Sequence, residues 1–183
     1  MMKRNSRWKT GVAICLSVIC LICTGCSKTN EQDHIKETVK KVVELQMNAP
    51  NEKAIFTNYF SDDEEKFEEK YAQYMAYLEE TYGPYFTDST FELYTRTNEF
   101  DIFHTAADRY DYQLIVNDVS VEQNEVTPTN YNFTVNLDYV DKDGEKTAIE
   151  VTGVAIMRDD KIAKLSYLGD KQLLRSLLSG GLE

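Results

Sequence analysis

The sequence predicts an α+β domain in which helices from the first half pack on a curved antiparallel sheet made by the second half. Two patterns carry this. From residue 33 to residue 84, apolar side chains recur at helical spacing between capping and stop signals, and from Tyr112 to Leu168 they alternate in runs joined by turns too short for parallel crossovers. A third observation sets the leader apart: residues 1–25 run basic, then apolar, then small, the order of a targeting segment that contributes nothing to the fold.

The first helix is expected from an Asp33 cap, with Ile35, Val39, Val42, Val43 and Met47 on one face and Pro50 ending the run. A short second helix, capped by Asn51, is expected to bury Ile55, Phe56, Tyr59 and Phe60. The third has the clearest face: Phe67, Tyr71, Tyr74, Met75, Leu78 and Tyr82 fall within about 100° of arc, with Glu68, Glu69, Glu79 and Glu80 on the remainder. Asp62, Asp63, Glu64 and Glu65 stand at its start, where carboxylates complement the positive end of the helix dipole. Gly83-Pro84 ends it. Residues 85–110 hold neither a period of 3.6 nor a period of two throughout. A short structured piece near Thr90 to Tyr94 is read there, and the rest carries no assignment.

Strand signals follow. Tyr112, Leu114 and Val116 alternate with mostly polar neighbours, and Val119 and Val121 continue on the opposite parity. Tyr131, Phe133, Val135, Leu137 and Tyr139 alternate strictly with Asn132, Thr134, Asn136 and Asp138. Asp141-Lys142-Asp143-Gly144 turns the chain into Thr147 to Met157, a strand in which Gly153 predicts a bulge or sharp bend. Arg158 to Lys161 makes a second turn into Ile162 to Leu168. A last helix, capped by Asp170, is expected to bury Leu173, Leu174, Leu177 and Leu178.

The leader contains Lys3, Arg4, Arg7 and Lys9, an apolar run from Gly11 to Cys23, and then Thr24-Gly25-Cys26. The small Gly25 directly before a thiol resembles a bacterial lipobox, although Cys23 stands three before the cysteine where Leu is usual. The resemblance implies cleavage before Cys26 and its acylation, with a thioether-linked diacylglyceryl group and palmitate-type chains. Two acyl chains meet the requirement for stable anchoring, so the protein is expected on the extracytoplasmic face of the cell membrane. Two other readings are a transmembrane anchor, for which the run falls short of the ~20 residues needed, and an ordinary secretory signal. The expected organisation is a signal peptide at 1–25, a lipidated cysteine and polar tether at 26–32, a single domain at 33–178, and a flexible tail at 179–183.

Of the four cysteines, only Cys26 would remain after cleavage, which leaves no disulfide framework and no thiolate metal site. The leader holds four basic and no acidic side chains, so its loss takes the formal charge from -11 to about -15. Such a surface is poorly suited to nucleic acid or to anionic lipid headgroups. A cationic protein, peptide or wall polymer is compatible with it, and acidity also simply keeps an extracellular domain soluble.

Three stretches carry a resemblance to a known fold family: Asn51 to Phe60 leading into Ser61-Asp62-Asp63, Tyr131 to Val140, and above all Val151-Thr152-Gly153-Val154-Ala155-Ile156-Met157-Arg158-Asp159-Asp160-Lys161-Ile162. The last resembles the late hairpin of NTF2-like domains, in which a strand containing glycine meets a turn ending in Lys-Ile. That resemblance implies a cone-shaped α+β fold, over most of residues 33 to 168. No clear strand stands between the third helix and Tyr112, and there the chain departs from the family pattern.

Enzymes of that family carry a carboxylate base or a His-Asp pair in the mouth of the cone. Here Asp138 sits on the polar parity of its strand, and His104 lies near Asp101 and Asp108, where a packing or solvated histidine is commoner than a general base. His34 lies near the tether. Asp141, Asp143, Gly144 and Glu150 match positions of a calcium loop, but Tyr139 occupies the first ligand position, and a hairpin turn explains the Asp-Gly pair. No catalytic residue, metal site or cofactor is assigned. Tyr71, Tyr74 and Tyr82 are the candidate lining of a small apolar pocket, the alternative being that they fill the core. The expected role is therefore non-enzymatic: an anchored binding or accessory domain with a protein partner at the cell envelope. Two other readings are a small-molecule-binding or enzymatic cone with an aromatic pocket, and a component of a conjugation or secretion apparatus.

Overall fold

The protein is described from a computed structural model, which covers residues 23–180 and 182, with side chains from residue 31 onward. The predicted signal peptide lies outside the described residues except for the backbone of residues 23–25, and so does the side chain of Cys26. Two compact units divide between Ile35 and Lys36. The first contributes the leading part of helix α1 (Cys23–Met47); the second holds the rest of α1 and all other elements.

Helix α1 begins ten residues before the expected Asp33 cap, so the backbone of residues 26–32, read as a tether, is helical. Its predicted face of Ile35, Val39, Val42, Val43 and Met47 is buried. Pro50 cannot continue the helix, and the chain passes straight to the sheet: Ala49 exchanges backbone hydrogen bonds with Leu114, at 3.1 and 2.8 Å. The expected second helix is two single 3-10 turns, Glu52–Ala54 and Phe56–Tyr59. Asn51 caps the first, its Oδ1 accepting from the Lys53 N–H at 3.1 Å. Ala54 and Ile55 are buried there, but Phe56 and Tyr59 are half-buried and Phe60 is 57% exposed. Two short turns have too little length to present four apolar side chains to one core.

Helix α2 (Glu64–Tyr82) is capped by Asp63, whose Oδ1 accepts from the Lys66 N–H. Only the second half of its apolar face is buried: Tyr74, Leu78 and Tyr82 are inside, whereas Phe67 is half-buried and Tyr71 is 42% exposed. Residues 85–110, which lacked an assignment, form α3 (Asp88–Thr97) and α4 (Ile102–Tyr110), each ended by a left-handed residue, Asn98 and Asp111. Between them Phe100 gathers a cluster of rings, stacked on Tyr82 at 4.4 Å and edge-on to Phe86 at 5.2 Å. Helix α5 (Lys171–Ser179) packs on α4 and buries Leu177, with Leu173 and Leu174 half-buried and Leu178 exposed.

The sheet is an antiparallel meander of β1 (Gln113–Gln123), β2 (Asn130–Val140), β3 (Lys146–Arg158) and β4 (Lys161–Tyr167), in that order. A register shift between Val116 and Asp118 leaves one extra residue in β1. This bulge brings Leu114 and Val119 to the same buried face and accounts for the change of parity in the sequence. A second shift, between Ile156 and Met157, does the same for Ile162 and Leu165 in β4. The β3–β4 turn places Asp159 and Asp160 at positive φ, 50° and 61°, as a two-residue hairpin of the primed type requires.

Gly153 departs from expectation. It stands in regular register, paired with Phe133 and Tyr167, with neither a bulge nor a positive φ. What requires glycine is close approach: a Cβ built there would lie 2.6 Å from Cε2 of Phe133 and 2.5 Å from the Ser166 carbonyl oxygen.

The outer edge of β4 is closed by local chemistry. Ile162 donates to Tyr85 O and accepts from Thr87 N–H, Thr90 Oγ1 donates to Ala163 O, and the Tyr94 hydroxyl both donates to Leu165 O (2.7 Å) and accepts from Leu165 N–H (3.0 Å). An edge strand whose backbone is engaged in this way offers no template for pairing with another chain.

Candidate functional site

His104 is fully buried, and both its ring nitrogens are engaged. Nδ1 accepts from the Asn51 N–H at 3.1 Å, so Nε2 carries the proton and donates to Leu45 O at 3.0 Å. Leu45 O belongs to the last turn of α1, where carbonyls lack intrahelical partners, and Tyr82 Oη donates to the same oxygen at 3.5 Å. Burial lowers the His104 pKa to about 4, partly opposed by the bond to Leu45. The residue is a neutral clamp between α1, the Asn51 turn and α4. Asp138 lies on the outer face of β2, accepting from Asn117 Nδ2 and 3.8 Å from Lys146 Nζ. His34 is exposed on α1. In the β2–β3 turn, Asp141 Oδ1 accepts the N–H groups of Asp143 and Glu145, an Asx turn built by the residues that resembled a calcium loop. Among the described residues no group of three or more His, Cys, Asp or Glu is placed to hold a metal ion. No described helix is long and apolar enough to cross a membrane.

The three tyrosines singled out on α2 do not share a pocket. Tyr82 is buried in the ring cluster around Phe100, Tyr71 faces outward, and Tyr74 is buried between Phe56 and Tyr59, with centroids at 5.2 and 5.0 Å. The Tyr74 hydroxyl is buried without a hydrogen-bond partner, and desolvation, reinforced by the nearby Asp101 carboxylate, raises its pKa.

Two features meet at Phe56. One is a surface of rings contributed by the 3-10 turns and the first half of α2: Phe56 lies edge-on to Phe60 (5.1 Å) and Tyr71 (6.2 Å), Phe60 tilts against Phe67 (5.7 Å), and Phe67 stacks on Tyr71 (6.0 Å). The other is a groove of about 390 Å³ between the Phe56 turn, α4 and α5. Phe56, Ile102, Ala106, Tyr110 and Leu178 form its apolar walls, while Asp101, Thr105 and Arg109 are its principal polar groups.

Asp101 is only 4% exposed. Its Oδ2 accepts from the Phe56 N–H and the Thr105 hydroxyl, each at 3.2 Å, which ties the ring-bearing turn to the start of α4. Burial raises its pKa and these bonds partly restore it. No ion pair to it forms among the described residues. The arrangement suits binding of an apolar side chain beside a polar or cationic group; Asp101 is desolvated but spent on local hydrogen bonds. The sequence did contain a signal for this surface, since five rings and six carboxylates alternate within residues 56–71.

No protein-family model matches the chain, and no curated protein matches it. Among solved structures it is similar to the TraH protein of the Gram-positive conjugative plasmid pIP501, at 13% identity over 77% of this chain and 96% of that one, with a TM-score of 0.48. A de novo designed β-sheet protein is similar at 15% identity over 76% and 93% of the two chains, TM-score 0.39. A Pseudomonas putida protein described as a polyketide cyclase matches over 46% of this chain and 67% of its own, at 15% identity and a TM-score of 0.32. At such identities and scores the likeness goes no further than a general layout of helices with an antiparallel sheet.

Proposed function

We propose that this protein is a lipid-anchored accessory domain on the extracytoplasmic face of the cell membrane, acting by contact with a protein partner and not by catalysis. The observation that supports it is the exposed surface of mutually packed rings at Phe56, Phe60, Phe67 and Tyr71, continuous with the groove on α4. Rings fixed against one another offer contact area with little left to order, as binding surfaces need. The titratable groups that the sequence offered for chemistry are engaged otherwise: His104 holds α1, and Asp101 holds the Phe56 turn. The lipobox resemblance at Cys26 supports the anchor. An NTF2-like cone is the finer description of the fold that fits best, supported by the two bulges and by the close packing of Phe133 over Gly153.

A photo-reactive phenylalanine analogue at position 60, introduced in cells, tests the contact. A protein adduct from position 60, absent when the analogue replaces Glu122 on β1, is the expected result. Adduct-free protein, together with saturable binding of a small apolar ligand in the groove, would move the reading to a ligand-binding cone.

A further inference from the structure

We propose that the ring surface takes a segment that is both apolar and basic: an amphipathic stretch of the partner whose apolar side covers Phe60, Phe67 and Tyr71 and whose Lys or Arg side chains reach the carboxylates beside them. This rests on the protein-contact reading above and adds the chemistry of the partner. The apolar half of the requirement comes from Phe60 and Tyr71, 57% and 42% exposed and held in place by ring contacts. The charged half comes from the sequence around them. Between Ser61 and Tyr71 stand six carboxylates and two lysines.

Both lysines are already engaged, Lys66 with Asp63 at 3.5 Å and Lys70 with Phe60 O at 3.4 Å. Helical geometry puts Glu64 and Glu68 on the shoulder of the Phe67–Tyr71 face, and both are exposed. The surface therefore pairs exposed rings with unneutralised negative charge. A second copy of this chain would set carboxylates against carboxylates, and an anionic lipid surface would meet the same repulsion. A basic amphipathic segment satisfies both halves at once.

The test uses the purified full chain in nonionic detergent, with two labelled helical peptides, one of Leu and Lys and the other with Glu in place of every Lys. At about 0.15 M salt the Leu–Lys peptide should bind roughly tenfold or more tighter than its acidic counterpart. Phe60→Ser with Tyr71→Ser keeps every charge and alters exposed positions only; it should weaken the Leu–Lys peptide roughly tenfold while leaving the melting temperature in place. Glu64→Gln with Glu68→Gln should weaken it and flatten its salt dependence.

Equal binding of both peptides, or full binding by the ring variant, overturns the proposal, because the attraction would then lack either its charged or its apolar component. Dimerisation that depends on Phe60, or a blue shift of a Phe60→Trp reporter on adding phosphatidylglycerol micelles but not the Leu–Lys peptide, overturns it in favour of a second copy or a membrane. If the peptides fail while the analogue at position 60 still captures an envelope protein, the partner's chemistry is wrong and the protein-contact reading stands.

Discussion

Gly153→Ala should destabilise the domain, although the same change in an unconstrained backbone ordinarily stabilises by restricting the unfolded chain. The new methyl carbon would arrive 2.6 Å from Cε2 of Phe133 and 2.5 Å from the Ser166 carbonyl oxygen. Ordinary carbon contacts lie near 3.5–4.0 Å, so each neighbour must retreat by about 1 Å. The ring has little room, being 2% exposed and packed edge-on against Tyr167 at 5.6 Å. The carbonyl belongs to β4, whose outer side is fastened to Tyr94 and the 85–87 segment. Overpacking of this kind costs about 1–3 kcal/mol, and with two separate clashes a loss of about 2–4 kcal/mol is expected. Urea unfolding should show a lower midpoint with an unchanged slope. In a Phe133→Leu background the cost should fall by about 0.5–3 kcal/mol yet not vanish, since the carbonyl remains. A neutral or stabilising Gly153→Ala would refute the reasoning, because it would mean that no ring lies over the strand.

Tyr94→Phe removes the hydroxyl that serves both the N–H and C=O of Leu165, and should lower urea-unfolding stability by about 1–3 kcal/mol, whereas Tyr71→Phe on the surface should change it little. Leu78→Ala should cost about 2–5 kcal/mol as a fully buried truncation, and half-buried Phe67→Ala distinctly less; equal losses in the same assay would contradict the split face of α2. His104 has a folded pKa of about 4 against an unfolded value of 6.5, so the unfolded chain binds more protons between those limits and stability should fall as pH drops from 6.5 towards 4, by about 3 kcal/mol in all. Asp101, whose pKa is raised, works in the opposite sense just above 3.8, so the His104 contribution is read as the difference between wild type and His104→Gln in acid titrations of the melting temperature. Cys26→Ser should abolish incorporation of a clickable fatty acid; label retained by the variant would end the lipobox reading.

The elements legible in the sequence are those with one dominant period. The meander, the Asn51 and Asp170 caps and the strict alternation of β2 follow from local rules and reappear in the structure. Helices α3 and α4 are short and face two environments, with Phe100 between them serving the core from a turn, so no single period survives across 85–110. The opposite parities of Val116 and Val119 were visible as an irregularity, but only the pairing with β2 shows that one extra residue reconciles them. Gly153 was read through its backbone freedom, whereas its reason is the Phe133 ring across the strand, a contact 20 positions away in sequence.

Helix α2 explains why the candidate surface was harder to read than the core. Periodicity shows that Phe67, Tyr71, Tyr74, Leu78 and Tyr82 share a face; it cannot show how far along that face the rest of the protein extends. The cover runs out between Tyr74 and Tyr71, because the only elements packed on the first half of α2 are the two 3-10 turns, and they bring rings of their own. Phe56 sits at that boundary. Its backbone N–H is fixed by Asp101 from the start of α4, and its ring touches both buried Tyr74 and exposed Phe60 and Tyr71. One buried carboxylate thus sets the position of the turn that carries Phe56, and with it the spacing of the rings offered to a partner. Asp101→Asn retains an acceptor for the Phe56 N–H, whereas Asp101→Ala leaves that donor unpaired. Loss of partner binding should therefore be larger for the alanine than for the asparagine, and equal losses would separate the ring surface from the groove.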